Sequence, residues 1–288
     1  MRALIFGAGG QVGRALVASP PAGAAVTALD RQGCDIGDAE AVRRAVEAAR
    51  PDLIFNAAAY TAVDRAESEP EAAARINDAG AGQVAAAAEA AGARLVHIST
   101  DFVFSDGDGV PIPPAHALSP RGVYAATKAA GERAVAAAAP GALIVRTAWV
   151  YAPVGANFVN TMLRLLRERE EVRVVADQKG TPTWAPSLAG ALWRLAELGA
   201  SGIHHFTDDG EASWHDFAAA IAEDGAEAGL IPAGRRVVPI STADYPTPAP
   251  RPAYSVLDKS ETWALLGGPP PHWRTQVRTN MKDVAGNG

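Results

Sequence analysis

Tyr124 and Lys128 stand four residues apart in Tyr124-Ala125-Ala126-Thr127-Lys128, so on a helix they share one face. A phenol titrates near about 10 and is a reluctant acid or base at neutral pH until a nearby ammonium stabilises the phenolate. Lys128 is placed to supply that charge. Upstream, the apolar run Leu95 to Ile98 ends in Ser99-Thr100-Asp101, which offers hydroxyls at a strand end. Tyr124 and Lys128, with the Ser99 and Thr100 hydroxyls upstream, make a candidate proton-transfer site. YxxxK is common by chance, and its weight comes from following a strand with hydroxyls at its end.

A second constellation opens the chain. Gly7-Ala8-Gly9-Gly10-Gln11-Val12-Gly13 contains GxxGxxG at Gly7, Gly10 and Gly13, directly after an apolar run and before a helical pattern. Such a turn lets backbone approach a pyrophosphate, whose charge meets free N–H groups at a helix N-terminus. That context points to a bound dinucleotide. The next apolar run ends in Asp30-Arg31, where a carboxylate suits the ribose hydroxyls of NAD and an arginine suits the 2′-phosphate of NADP. Arg14 adds a cation within reach of the same phosphate, so the reading favours NADPH with NADH accepted. Asp35-Ile36 in the following loop is read either as an adenine contact or, through Asp35, as an acidic cap for a helix starting near Ala39.

The elements that must hold these residues alternate. Ala3 to Phe6, Ala25 to Leu29, Leu53 to Phe55, Leu95 to Ile98 and Ala142 to Val145 read as buried parallel strands. Val12 to Ala18, Ala39 to Ala49, Glu71 to Ala91 and Val123 to Ala138 read as crossover helices between them. The expected fold class is α/β, a Rossmann-type doubly wound parallel sheet with a smaller C-terminal substrate-binding domain. Phe158 to Arg169 is a further helix, Val172 to Val175 a strand, Ser187 to Leu198 a helix and Gly202 to Phe206 a strand, taken as continuing the sheet. Residues 1–150 with about 170–212 form the expected cofactor core, and about 151–169 with 213–288 the substrate region. From Ser213 onward, Pro246, Pro248, Pro250, Pro252 and Pro269 to Pro271 are expected to forbid long regular elements.

Composition narrows the partners. With 26 Lys and Arg against 32 Asp and Glu the net charge is −6, which gives no overall attraction to nucleic acid or an anionic membrane. Cys34 is the one cysteine, so no intrachain disulfide forms. No signal peptide or uninterrupted spanning segment is read, and the expected compartment is the reducing cytoplasm. His204 and His205 are adjacent on a strand and point to opposite faces, and no metal is expected at them or at His215.

Read end to end, the chain resembles the dTDP-4-dehydrorhamnose reductase family of extended short-chain dehydrogenase/reductases. The resemblance is carried by GAGGQVG (Gly7 to Gly13), NAAAYTAVDRAE (Asn56 to Glu67), STDFVF (Ser99 to Phe104) and VYAATKAAGE (Val123 to Glu132). It continues through RTAWVY (Arg146 to Tyr151), NFVNTMLR (Asn157 to Arg164), DQKGTPT (Asp177 to Thr183) and YPTPAPRPAYSVLD (Tyr245 to Asp258). It implies hydride transfer from NAD(P)H to the C4 ketone of dTDP-4-dehydro-L-rhamnose. Tyr124 would protonate the alkoxide, Thr100 would hydrogen-bond the same oxygen, and Lys128 would hold the nicotinamide ribose and lower the tyrosine pKa. Ala57, Ala58, Ala59 and Tyr60 would line the cofactor beside the glycine turn. Thr61, Val63, Asp64, Asp101, Phe102 and Trp149 would face the sugar, with Asn157, Gln178 and Arg251 at the nucleotide diphosphate.

Some members are described with Mg²⁺ between acidic residues at a dimer contact, one of them two positions past the third glycine. This chain has Ala15 there, so no Mg²⁺ through that position is expected, and a homodimer is left open. Two other classes share the motifs: a sugar-nucleotide epimerase or dehydratase with retained NAD, and a non-catalytic NADP-binding regulatory subunit like the methionine adenosyltransferase beta subunit. Dehydratases typically carry an acidic pair after the threonine, whereas Phe102 follows Asp101 here.

Overall fold

In the computed structural model, which describes residues 1–105 and 107–286, a six-stranded parallel sheet organises the chain. The last two residues of the expected C-terminal region lie outside the described residues. Five strands are β1 (Arg2–Phe6), β2 (Ala25–Leu29), β3 (Leu53–Asn56), β4 (Arg94–Thr100) and β5 (Leu143–Thr147), and the sixth is Gly202–His205. From the Gly202–His205 edge the order is β5, β4, β3, β1, β2. β1 pairs with β2 on one side and β3 on the other. The chain therefore departs in opposite directions from β1, and loops at the carboxyl ends of β1 and β3 part there to leave a crevice.

Helices cover both faces. Ile5, Phe55 and Val145 pack against Leu16 of helix α1 (Gln11–Ala18) and against Leu188, Leu192 and Trp193 of the helix Ala185–Glu197. Leu4, Phe6, Ile54 and Ile144 face the other way, onto Val42 and Val46 of α2 (Ala39–Ala49), Val84 and Val135. Burial on both faces is why these strands read as continuous apolar runs rather than alternating ones.

Three expectations change. Glu71 to Ala91 is not one helix but Pro70–Ala74, a π-helical stretch Arg75–Gly80, and Ala81–Ala90. The extra residue per turn lets Asn77 face inward, accepting from the Tyr60 N–H at 2.8 Å and donating to Thr127 Oγ1 at 3.2 Å. The strand Glu171–Val175 does not continue the main sheet; it pairs in parallel with Arg236–Ile240. These strands join the helices Phe158–Glu168, Trp214–Glu227 and Trp273–Gly286 in a separate apolar core around Leu163, Phe217 and Val277. The prolines interrupt only where they lie, because two fourteen-residue helices, Trp214–Glu227 and Trp273–Gly286, stand on either side of them. Ser213 and Asp216 start the first of these with a reciprocal capping box.

A buried ion pair ties the long helix Val123–Ala138 to the sheet. Arg146 on β5 bonds Glu132 through Nε at 2.9 Å and Nη2 at 2.7 Å, and the two residues are 1% and 3% exposed. Ser99 on β4 donates to the same carboxylate at 2.5 Å, and Arg146 Nη1 donates to the Pro114 carbonyl at 3.0 Å. Removing one partner strands the other charge in a dry interior. Arg146→Met is expected to lower unfolding stability by about 3–5 kcal/mol, measured from urea denaturation curves. A loss under about 1 kcal/mol would show that Glu132 finds compensation elsewhere.

Candidate active site

The glycine turn follows β1, and its glycines serve different ends. Gly7 has φ +78°, and a Cβ there would lie 2.5 Å from the Ala58 nitrogen. A Cβ on Gly13 would lie 2.1 Å from the Gly7 carbonyl oxygen. Both positions are therefore fixed by the chain's own backbone. Gly10 is different: its nearest neighbour would be at 3.4 Å, and it lines the crevice. Gly10 also caps α1 with no side-chain bond, so first-turn N–H groups of Gln11, Val12 and Gly13 remain for a ligand.

Two cavities meet at this turn. One of about 440 Å³ is bounded by Gly7, Asp30, Arg31, Asp35, Ile36, Ala58 and Tyr60. The other, about 660 Å³, runs past Gln11, Val12, Thr61 and Val63 to Thr100, Tyr124, Lys128 and Trp149. Their common wall is Gly9, Gly10, Ala57 and Ala59. A molecule with two ends joined by a diphosphate fits this plan, the diphosphate lying where small residues and helix N–H groups meet. Asp30 accepts from the Gln32 and Gly33 N–H groups at 3.0 and 2.9 Å. Asp35 does not cap α2; Asp38 does, while Asp35 pairs with Arg75 at 2.9 Å, which holds its carboxyl below the usual range. Arg14 donates to the Gly9 carbonyl at 2.9 Å and lines the larger cavity, while Asp30 and Arg31 line the smaller one.

Two elements deliver the proton-exchange set. Thr100 ends β4, Tyr124 and Lys128 lie on one face of Val123–Ala138, and all three line the larger cavity. Burial pushes the Tyr124 phenol up to about 12; the adjacent Thr100 hydroxyl opposes this and the Asp101 charge adds to it. Burial likewise pulls Lys128 down to about 8, opposed by Glu132. Lys128 Nζ donates to the Ile98 carbonyl at 2.8 Å. The net shift is upward, against the lowering expected, because desolvation of the phenol dominates. The phenol is held as a proton donor.

The remaining candidates separate. Phe102 meets the Tyr124 ring edge-on at 5.6 Å and lines the cavity. Asp64 is off the cavity wall; it accepts from Arg251 Nη2 at 2.8 Å and the Ala249 N–H at 3.2 Å, so it steers Arg251, which does line the wall. Asn157 caps the helix Phe158–Glu168 and donates to Gln11 Oε1 at 3.0 Å, joining the two lobes at the cavity edge. Gln178 is buried away from the cavity and donates to Thr242 Oγ1 at 3.0 Å.

The RmlD substrate binding domain profile matches residues 1–285. A dTDP-4-dehydrorhamnose reductase of Burkholderia thailandensis is 43% identical over 295 residues, covering 99% of each chain. The chain belongs to the dTDP-4-dehydrorhamnose reductase family. Two solved reductases agree in shape. That of Clostridium acetobutylicum superposes with a TM-score of 0.93 at 36% identity, covering 99% of both chains. That of Bacillus anthracis, in complex with NADP, gives 0.91 at 36% identity, covering 98% of this chain and 99% of its own.

As a dTDP-4-dehydrorhamnose reductase family member, the chain also uses residues that sequence reading passes over. Asn77 fixes the Tyr60 backbone against Thr127, one residue before Lys128, and its signal is a lone asparagine inside an alanine-rich helix. Trp214 lines the larger cavity from the second lobe. Ser255, in the proline-rich segment, donates to Asp101 Oδ2 at 2.6 Å.

Burial pushes the Asp101 carboxyl up to about 6, with the Ser255 and Thr100 hydrogen bonds offsetting part of the rise. Between its ordinary value of 3.8 and about 6 the folded chain holds more of this proton than the unfolded chain. The group's contribution to stability is full below the lower value and is lost as pH rises through the upper one. Asp101→Asn, which does not ionise, is expected to gain on the parent between pH ~4 and ~7 in urea midpoints. A pH-independent difference would refute the cost of ionising Asp101.

Proposed function

We propose that the protein reduces the C4 ketone of dTDP-4-dehydro-L-rhamnose to give dTDP-L-rhamnose, with NADPH as the preferred donor and NADH accepted. The observation that carries this reading is the meeting of Thr100, Tyr124 and Lys128 in a cavity continuous with the glycine turn, in a chain that matches these reductases end to end.

Gly10, Gln11, Val12 and the alanines 57 to 59 would hold the cofactor's diphosphate, with Asp30, Arg31, Asp35, Ile36 and Tyr60 at the adenosine end and Lys128 at the nicotinamide ribose. When bound, NADPH supplies the hydride that reaches C4. Tyr124 then donates its proton to the oxygen that gains negative charge, and Thr100 hydrogen-bonds that oxygen. The raised phenol pKa suits this direction, because Tyr124 is protonated throughout the neutral range. Lys128, with its ammonium near 8, remains charged at neutral pH and stabilises the phenolate once the proton has gone. Arg251, oriented by Asp64, would receive the nucleotide diphosphate through paired N–H donors. On this reading the reaction runs in the cytoplasm, where reduced nicotinamide is held; among the described residues no helix is long and apolar enough to cross a membrane.

The test is substrate-dependent loss of nicotinamide absorbance with enzymatically generated dTDP-4-dehydro-L-rhamnose, the product being identified by NMR. Turnover to dTDP-L-rhamnose is expected. Tight NADPH binding without turnover would move the assignment to another keto sugar or to a non-catalytic subunit. Tyr124→Phe is expected to cut kcat by about 10²- to 10⁴-fold while NADPH affinity holds. Activity should also fall as pH rises through about 8, as Lys128 loses its charge, and a flat alkaline limb would exclude that role.

A further inference from the structure

Trp149 is held by more than its own contacts require. Among the described residues it is one of two non-glycines with positive φ, at +47°, a conformation that costs a large side chain energy and persists only where surroundings fix it. Its carbonyl accepts from the Thr183 N–H at 3.2 Å. Its indole stacks on Trp214 with ring centroids 3.6 Å apart and planes 9° from parallel. Gly180 lies so close that a Cβ there would be 2.6 Å from Trp149 Cε2 and 2.7 Å from Nε1. Phe158 supports Trp214 in turn, at 4.7 Å.

The two gripping residues come from one small feature. Gly180 pairs with Ala212 in a two-stranded antiparallel ladder, and Trp214 follows Ala212 by two residues at the start of its helix. The ring they hold is aimed by β5. Thr147 is the register partner of Thr100, and Trp149 lies two residues beyond it on the wall of the same cavity. Trp149 therefore stands beside the proton-exchange set and not at the adenosine end.

We propose that Trp214 and Gly180 are positioning residues that lock Trp149 as a rigid apolar wall for the hexose of the nucleotide sugar. With Trp214 stacked on the indole and Gly180 pressed against its Cε2–Nε1 bond, the part of the ring that lines the cavity is left to meet the C–H surface and methyl of a deoxyhexose. Gly180 has no room for a methyl group without displacing the ring. The wall acts on the sugar, while the nucleotide is held elsewhere. This deepens the reductase reading and rests on it.

The test compares binding of dTDP-L-rhamnose and of dTDP alone to the full chain loaded with NADP⁺, by calorimetry, in Trp214→Ala, Trp214→Phe and Gly180→Ala. Circular dichroism follows the exciton couplet of the stacked indoles. Trp214→Ala is expected to abolish the couplet and weaken dTDP-L-rhamnose about tenfold while dTDP and NADP⁺ stay within about twofold. Trp214→Phe, which keeps an aromatic stack, should restore most of the sugar affinity. Gly180→Ala should reproduce the alanine result, and it serves alone if Trp214→Ala does not fold. The proposal is overturned if the couplet disappears with dTDP-L-rhamnose affinity unchanged, or if dTDP weakens as much as the sugar nucleotide. Wild-type protein with no preference for dTDP-L-rhamnose over dTDP also overturns it; the reductase reading is then judged separately by turnover.

Discussion

The buried contact between Glu132 and Arg146, shared by Ser99, is the interaction on which the active site depends. It joins three elements, the helix Val123–Ala138, β5 and β4, at one carboxylate. Each functional group is then a short step along the chain from this knot. Thr100 is one residue past Ser99, Lys128 and Tyr124 are one and two turns before Glu132, and Trp149 is three residues past Arg146. A network of charge-assisted hydrogen bonds in a dry interior tolerates little displacement, because any shift leaves a charge unsatisfied. Proton exchange needs heavy-atom distances set to fractions of an ångström, and this knot supplies that precision without occupying the cavity.

The cofactor side obeys a different constraint, close approach of backbone to backbone. Gly7 and Gly13 are required because the turn folds onto Ala57, Ala58 and itself, whereas Gly9 and Gly10 are free to face a ligand. The same device recurs where the long helix meets the π-helical stretch: a Cβ on Gly131 would lie 1.9 Å from the Asn77 carbonyl oxygen. That approach lets Asn77 reach both Tyr60 and Thr127, so the loop lining the cofactor cavity is tied to the helix carrying Tyr124 and Lys128. A glycine in a helix normally costs about 1 kcal/mol, and here closeness of packing offsets it.

Local pattern carried most of the fold. Parallel strands buried on both faces show as short apolar runs, and the five expected before residue 150 form within a residue or two of their predicted limits. Thr100, Tyr124, Lys128 and the glycine turn were legible for the same reason, since each lies at the end of an element whose period is visible. What escaped depends on contacts between distant segments. Nothing near Ser255 announces Asp101, nothing near Gly180 announces Trp149, and the pairing of Glu171–Val175 with Arg236–Ile240 spans more than sixty residues. Gln178 shows the converse. Its segment does reach the active site, but through Gly180 against Trp149, while the glutamine itself braces Thr242.

Burial sets the direction in which this site exchanges protons. The same desolvation that pushes Tyr124 to about 12 and Asp101 to about 6 pulls Lys128 down to about 8, so every group near the reacting oxygen is drawn toward its neutral form. A neutral phenol gives up a proton only to a stronger base, and an alkoxide formed at C4 is one. The cost is deferred until after the transfer, when a phenolate stands in the dry cavity with Lys128 on its own helix face as the available cation. In the proposed reduction the lysine is therefore needed charged at the end of the step more than at its start, and Glu132, one turn further along the helix, opposes the loss of that charge. The ion pair that fixes the geometry thus also biases the electrostatics, and Arg146, by sharing the Glu132 carboxylate, limits how far that bias goes.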